Sequence, residues 1–326
     1  MFGEQNNNFQ DQASRVTLKK KPLPVIVLVG PTASGKTGVA IELAQRIAAE
    51  IISADSRQIY QKMTVGTAKP TPEELAAAVH HFVDILPLQA EYSAGAFSRE
   101  AREVIQSLRK SGKNVIVAGG SGMYVSALLD GFFEPIAQDK KIQAEFKKLA
   151  EEKGAAWIYD KLKQVDPTRA SELSPNDVHR VVRALEVYHA TGQTISSFRA
   201  QPRISAEFPF KIFGLKRRRA ELYARIEQRV DEMIEAGLEK EVKTILEDGC
   251  PPETNALQSV GYREMMQYFA GDLSFEQAVD KIKQHTRNFA KRQMTWFGKD
   301  ARTEWIELDD VSAPAAAELI MQKMGV

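Results

Sequence analysis

The sequence predicts an α/β fold: a parallel sheet with helices on its faces, interrupted by an all-helical insertion. Three observations carry this. Short apolar runs alternate with helix-period stretches over the first 130 residues, the pattern of strands joined by helical crossovers. The first run ends on Gly30 and a glycine-rich loop that opens a helix. From about Asp139 to about Pro209 helix patterns continue with almost no strand pattern between them.

In chain order, residues 25–29 are five apolar, mostly β-branched positions and read as a buried strand. Val39, Leu43 and Ile47 then share one helix face, and residues 51–54 form a second short strand. Residues 98–110 read as a helix with Val104, Ile105 and Leu108 apolar. Residues 115–118 are a third strand, halted by Gly119, Gly120, Ser121 and Gly122 before a helix over 123–129. In the insertion, residues 140–152 form a charged helix, and residues 178–189 a helix with Val181, Val182, Leu185 and Tyr188 apolar. Residues 211–215 return to strand. Helices over 220–236, 239–247, 263–269 and 275–297 follow, then a last edge strand at 305–308. The expected organisation is a disordered tail (1–23), a core (24–138 with 211–310), a helical insertion (139–210), and a terminal helix or tail (311–326).

The chain has 326 residues, enough for about two domains. Its 43% apolar and 27% charged residues are ordinary for a globular protein. One cysteine, Cys250, excludes an internal disulfide framework and multi-thiolate zinc sites. The histidines are scattered and adjacent His80 and His81 lack ligand spacing, so no transition-metal site is expected. The polar start, with lysines at 19–21, reads as a solvated tail. It carries no signal-peptide pattern, and no run approaches the ~20 apolar residues of a membrane span. A cytoplasmic protein, monomeric for want of a long heptad or apolar edge, is the expectation. The net charge of +1, from 44 basic and 43 acidic residues, hides segregation. Residues 227–253 carry nine acids and three bases, whereas 281–299 carry six bases and no acid.

The strongest motif is Gly30-Pro31-Thr32-Ala33-Ser34-Gly35-Lys36-Thr37, which matches G-x-x-x-x-G-K-[ST] between a strand and a helix. It predicts a P-loop NTPase-like core. Loop N–H groups and the helix N-terminus cradle phosphates, Lys36 reaches their oxygens, and the Thr37 hydroxyl suits Mg²⁺. A nucleotide hydrolase usually adds an acidic metal ligand at the end of a later strand, but residues 115–118 end in glycines and a serine. The nearest carboxylate is Asp55, just after the second strand. It is read as a general base or a ligand of metal-bound water, against the simpler role of a helix cap.

Further motifs join the loop: Asp55-Ser56-Arg57-Gln58, Gly66-Thr-Ala-Lys-Pro70, Gly119-Gly-Ser-Gly-Met-Tyr124, Pro175-Asn-Asp177, Arg225-Ile-Glu-Gln-Arg229, Val260-Gly-Tyr-Arg263 and Ala290-Lys-Arg-Gln293. In this order, over roughly residues 24 to 300, the set resembles the tRNA dimethylallyltransferase (isopentenyltransferase) family. The resemblance implies transfer of a dimethylallyl group from dimethylallyl diphosphate to N6 of the adenine at tRNA position 37, with pyrophosphate leaving. The loop would then hold a diphosphate, with Lys36, its N–H groups and Mg²⁺ on Thr37 neutralising the leaving group. Asp55 matches the general base, and Arg219 and Arg225 match arginines near the pyrophosphate.

On the RNA side the resemblance implies contacts from Asp55, Ser56, Arg57 and Gln58; from Ser121; from His179, Arg180, Val181, Val182 and Arg183; from Leu257, Gln258, Ser259, Val260, Gly261 and Tyr262; and from Arg287, Lys291 and Arg292. The target adenine must leave its stack to react. Independently of the resemblance, 281–299 interleaves Phe289, Trp296 and Phe297 with its bases, a pattern suited to phosphate and base contact. Phe289 and Trp296 are expected to pack inward while the basic face meets RNA. Gln143 stands where relatives often carry an RNA-contacting arginine. The competing readings are a P-loop small-molecule or nucleotide kinase, and a nucleotide-gated RNA-binding module without chemistry.

Overall fold

The computed structural model describes residues 22–131 and 139–326. The lysine-bearing tail and the expected boundary at 138 lie outside them. Six strands, β1 (Val25–Val29), β2 (Ala49–Ser53), β3 (His80–His81), β4 (Asn114–Gly119), β5 (Phe210–Lys216) and β6 (Thr303–Glu307), form one sheet in the order β3-β2-β4-β1-β5-β6. Every pairing is parallel. Both faces are covered, which is why β1 is an unbroken apolar run and fully buried. Val25, Val27 and Val29 point to one core, and Ile26 and Leu28 to the other. Five of the strands were legible in sequence. β3 was not, since two histidines on an edge give no apolar signal.

The first face is covered by the helices Ala94–Lys110, Gly122–Asp130, Leu238–Glu247 and part of Phe275–Phe297. The second is covered by Lys36–Ile47 and by Ala313–Met324, whose Ala316, Ala317 and Ile320 are buried against it. The chain end is thus a helix of the core. The insertion has its own core, built on Phe146, Ile158, Leu162, Val181, Val182 and Leu185. It joins the sheet domain through Ala206 N–H to the Leu129 carbonyl (2.8 Å) and the Lys140–Glu91 pair (2.6 Å).

Topology fixes where a ligand can sit. From β1 the chain proceeds to β2 on one side, and after β4 it crosses to β5 on the other. The crevice at the carboxyl ends of β1 and β4 is a topological switch point, where open parallel sheets bind ligands. The register pairs Val29 with Gly119 and with Gly214, and Ser53 with Ala118. Gly30, Ala54, Gly120 and Leu215 therefore all emerge at this end.

Candidate active site

The loop from Gly30 to Thr37 turns over the end of β1. Gly30 (φ 147°) lies so close to β5 that a Cβ would overlap the Leu215 carbonyl, and Gly35 (φ 104°) is left-handed at the start of the helix. No side chain caps that helix, so its N-terminal N–H groups have no side-chain acceptor from the cap position. Lys36 Nζ donates to the carbonyls of Gly30 (3.0 Å) and Pro31 (2.7 Å). Burial, seconded by the Arg229 guanidinium and opposed by Asp55, pulls the Lys36 ammonium down to about 7. Beside it lies a cavity of about 430 Å³ lined by Lys36, Thr37, Arg217, Arg225 and Arg229, among others.

The three arginines grip the loop itself. Arg217 Nε donates to the Ser34 carbonyl (3.1 Å), Arg225 Nε to the Ala33 carbonyl (3.0 Å), and Arg229 approaches Thr32 Oγ1 (3.5 Å). Burial and the neighbouring Arg225 hold Arg229 below its usual value. Arg217 is paired with Glu221, and Glu74 lines the same cavity, so the charge left for an anion there is chiefly that of Lys36, Arg225 and Arg229. Arg219, expected here, is instead exposed with its guanidinium over the Tyr223 ring (5.1 Å) and does not line the cavity. Arg217 and Arg229, which sequence reasoning missed, do.

Asp55 sits half-buried at the end of β2, within electrostatic reach of Lys36. Its Oδ1 accepts from the N–H groups of Arg57 (2.8 Å) and Gln58 (3.3 Å). No helix follows Asp55, so it is not the helix cap weighed from the sequence; one of its oxygens holds a turn instead. Ser121 Oγ accepts from Ser56 N–H (2.9 Å), tying the Asp55 turn to the end of β4. The run Gly119-Gly-Ser-Gly122 now has a physical reason. A Cβ would strike Ala54 at Gly119, the Gln293 amide at Gly120, and the Trp296 ring at Gly122. β4 ends in glycines because three elements close on it.

Several expected RNA contacts are internal to the fold. Val181, Val182, Leu257 and Tyr262 are at most 1% exposed and belong to the cores. Their apolar bulk had a better use than RNA. Gly261 is buried beside Tyr262 and donates its N–H to Glu264 (2.7 Å), while Val260 is partly buried against the same core. Gln58 donates to the carbonyls of Thr67 (3.2 Å) and Ala68 (3.0 Å), and Arg57 to that of Asn255 (2.7 Å). Arg183 pairs with buried Glu186, which also accepts from Gln143 Nε2 (3.4 Å). Gln258, which is exposed, and part-buried Ser259 bond to the nearby carbonyls of Pro252 and Ala256. His179 and Arg180 are exposed.

On the helix Phe275–Phe297, Arg287 is paired with Glu227 (2.7 Å), while Lys291 and Arg292 are exposed. Phe289 and Trp296, expected inside, are 39% and 45% exposed. The Trp296 ring approaches Gly122 too closely for any side chain there, yet the residue stays exposed. Gln293, by contrast, is buried and reaches the phosphate loop.

A parallel sheet carrying a phosphate loop at its switch point, with arginines closing on that loop and a carboxylate beside it, defines a P-loop NTPase-like protein. The IPP transferase family pattern matches residues 58–300, and the chain belongs to that family. It is 43% identical to tRNA dimethylallyltransferase 2 of Geotalea uraniireducens over 91% of this chain and 96% of that one. It is 40% identical to the tRNA dimethylallyltransferase of Carboxydothermus hydrogenoformans over 93% and 97%. Among solved structures, the tRNA isopentenylpyrophosphate transferase of Bacillus halodurans is similar with a TM-score of 0.69, 34% identity and 94% and 97% coverage. A eukaryotic dimethylallyltransferase acting on tRNA has a TM-score of 0.75 at 28% identity, covering 92% of this chain and 78% of that one. No helix among the described residues is long and apolar enough to cross a membrane.

Proposed function

We propose that this protein transfers a dimethylallyl group from dimethylallyl diphosphate to N6 of adenine 37 in a tRNA anticodon loop, and that it acts in the cytoplasm as a monomer. The observation that supports this most is the pairing of an anion pocket with a carboxylate at one switch point, without the acidic strand end of a nucleotide hydrolase. Family membership supports the same reading.

In the reaction the allylic C1–O bond breaks, a bond forms between C1 and adenine N6, and pyrophosphate leaves with the electron pair. Lys36 and the loop N–H groups stabilise the charge that builds on the leaving oxygens. Arg225 and Arg229, drawn in by loop contacts, add to that field. Ser34 Oγ, fully buried and not part of the cavity lining, has no hydrogen-bond partner among the described residues. The adenine amino proton passes to Asp55, whose Oδ2 has no hydrogen bond among the described residues while Oδ1 holds the turn.

Mg²⁺ fits this donor set as a passenger of the diphosphate. Mg²⁺ binds through one or two protein oxygens plus substrate phosphates, and Thr37, which bears a hydroxyl, lines the cavity. When bound it would supply further charge neutralisation on the leaving group.

The test mixes the protein with unmodified tRNA bearing adenine at positions 36 and 37, Mg²⁺ and labelled dimethylallyl diphosphate. Label is expected on the RNA. Phosphate transferred from ATP to a small acceptor, with no label on RNA, would establish the kinase reading instead.

A further inference from the structure

Gln293 projects from the inner face of the helix Phe275–Phe297 and is 6% exposed. Both ends of its amide are used. Oε1 accepts from Thr32 N–H, in the phosphate loop, at 2.8 Å. Nε2 donates to the Gly120 carbonyl, just beyond β4, at 2.9 Å. The partners fix the amide's orientation, because a flip would oppose two donors at one end and two acceptors at the other. Gly120 lacks a Cβ where one would overlap this amide. One residue on, Ser121 holds the turn that carries Asp55. A single side chain thus ties the loop for the diphosphate to the strand end that braces the acceptor side. The same helix carries Lys291 and Arg292 exposed, and half-open Trp296 less than one turn beyond Gln293.

We propose that Gln293 is a positioning residue that couples the two substrate subsites. RNA held on the outer face of this helix and diphosphate held in the loop favour the same seating of the helix, clamped by the Gln293 amide, so each ligand tightens the other. This rests on the function proposed above. It assigns Gln293 no part in bond making, since its amide meets only backbone. Coupling between two binding sites is reciprocal, so the two ligands must tighten each other by one factor.

The experiment measures binding of inorganic pyrophosphate with Mg²⁺, and of an unmodified anticodon stem-loop, each alone and with the other saturating. The wild-type chain is expected to show mutual tightening of roughly tenfold. Gln293→Leu keeps the volume and removes both hydrogen bonds. It is expected to bind each ligand alone within about threefold of wild type and to bring the coupling factor close to one. Gly120→Ala, which intrudes on the same amide from β4, is expected to do the same and serves if Gln293→Leu misfolds. A Gln293→Leu chain of lowered thermal stability but unchanged coupling would make the residue a mere strut and overturn the proposal. So would a wild type that binds both ligands independently, with the functional reading left standing. A wild type that binds neither ligand would remove that reading and this inference together.

Discussion

Asp55 divides its work between two oxygens. Oδ1 caps the turn through the N–H groups of Arg57 and Gln58, and Oδ2 remains for chemistry. Asn caps as well as Asp, so Asp55→Asn is expected to keep the melting temperature and stem-loop affinity while lowering kcat by ~10²–10⁴-fold. Rapid-quench transfer assays beside thermal melts check this, and a variant that keeps its rate would move the base elsewhere. Lys36 gives a pH prediction. Pulled down to about 7, its amine is mostly neutral at pH 8 until an anion arrives. Pyrophosphate affinity should therefore fall as pH rises through 7, and binding at pH 8 should take up a proton. Calorimetry in buffers of different ionisation enthalpy reads that uptake, and Lys36→Met should abolish the part that pyrophosphate's own titration does not explain. An unfolded lysine stays protonated to about 10.4, so between about 7 and 10 the unfolded chain binds more protons. This group's contribution to stability accordingly rises with pH across that window. Lys36 and Asp55 could be read from the sequence because local motifs specify them. The arginines could not. Arg217 reaches the loop because β5 runs beside β1, and Arg225 and Arg229 share a helix face four residues apart. Arg219, the first residue of that helix, lies more than one turn before Arg225 and about 120° around the axis from it.

At the scale of elements, the loop after β2 is shaped from the far side of the core. Glu241, on the helix Leu238–Glu247, accepts the successive N–H groups of Thr64 (2.8 Å), Val65 (2.7 Å) and Gly66 (3.1 Å), and the Tyr262 hydroxyl (2.5 Å). Gly66 has no room for a Cβ beneath the Tyr262 ring. The loop so fixed presents its Thr67 and Ala68 carbonyls to Gln58, beside Asp55. Buried Lys69 pins the next stretch through the Tyr60 carbonyl (2.5 Å) and Asp84. Lys62, Ala68, Phe82 and Asp84 all take positive φ around this pair, backbone strain that packed partners must hold in place. Glu241→Gln confronts the three donors with an amide that has one acceptor and a competing donor. It is expected to cost about 1–3 kcal/mol in urea unfolding, and Tyr262→Phe about 1 kcal/mol. Equal stability of Glu241→Gln and wild type would mean that the loop keeps its shape unaided. The Gly-Thr-Ala-Lys-Pro and Val-Gly-Tyr-Arg motifs were visible in sequence, but their spacing could not say which way they face. The carboxylate that turns them inward lies in a third segment.

For the whole molecule, the near-zero net charge reflects surface pairing between neighbouring helices. Of the basic residues on the helix Phe275–Phe297, Lys283 pairs with Asp231 (2.6 Å) and Arg287 with Glu227 (2.7 Å), both on the helix Arg219–Glu235. The acid-rich and base-rich stretches seen in the sequence thus meet across one helix pair, and their cancellation is local. What remains at the outer end is Lys291 and Arg292, exposed beside the open rings of Phe289 and Trp296, with Arg292 over Phe289 at 5.7 Å. Lys291 and Arg292 have no carboxylate partner among the described residues; such cations release bound counterions from RNA, whereas a paired cation must first give up its carboxylate. Lys291→Ala with Arg292→Ala is therefore expected to weaken stem-loop binding and flatten the log–log salt dependence by about 1 to 2 units. Arg287→Ala should change the slope by less than half as much. It uncovers Glu227, so its loss of affinity should shrink when Glu227→Gln is added. Trp296→Ala should lower affinity with the salt slope intact, because stacking on a base carries no counterion term. Titrations from 50 to 300 mM KCl separate these cases. A slope that follows Arg287 and ignores Lys291 and Arg292 would place the RNA across the helix pair instead of along its open end.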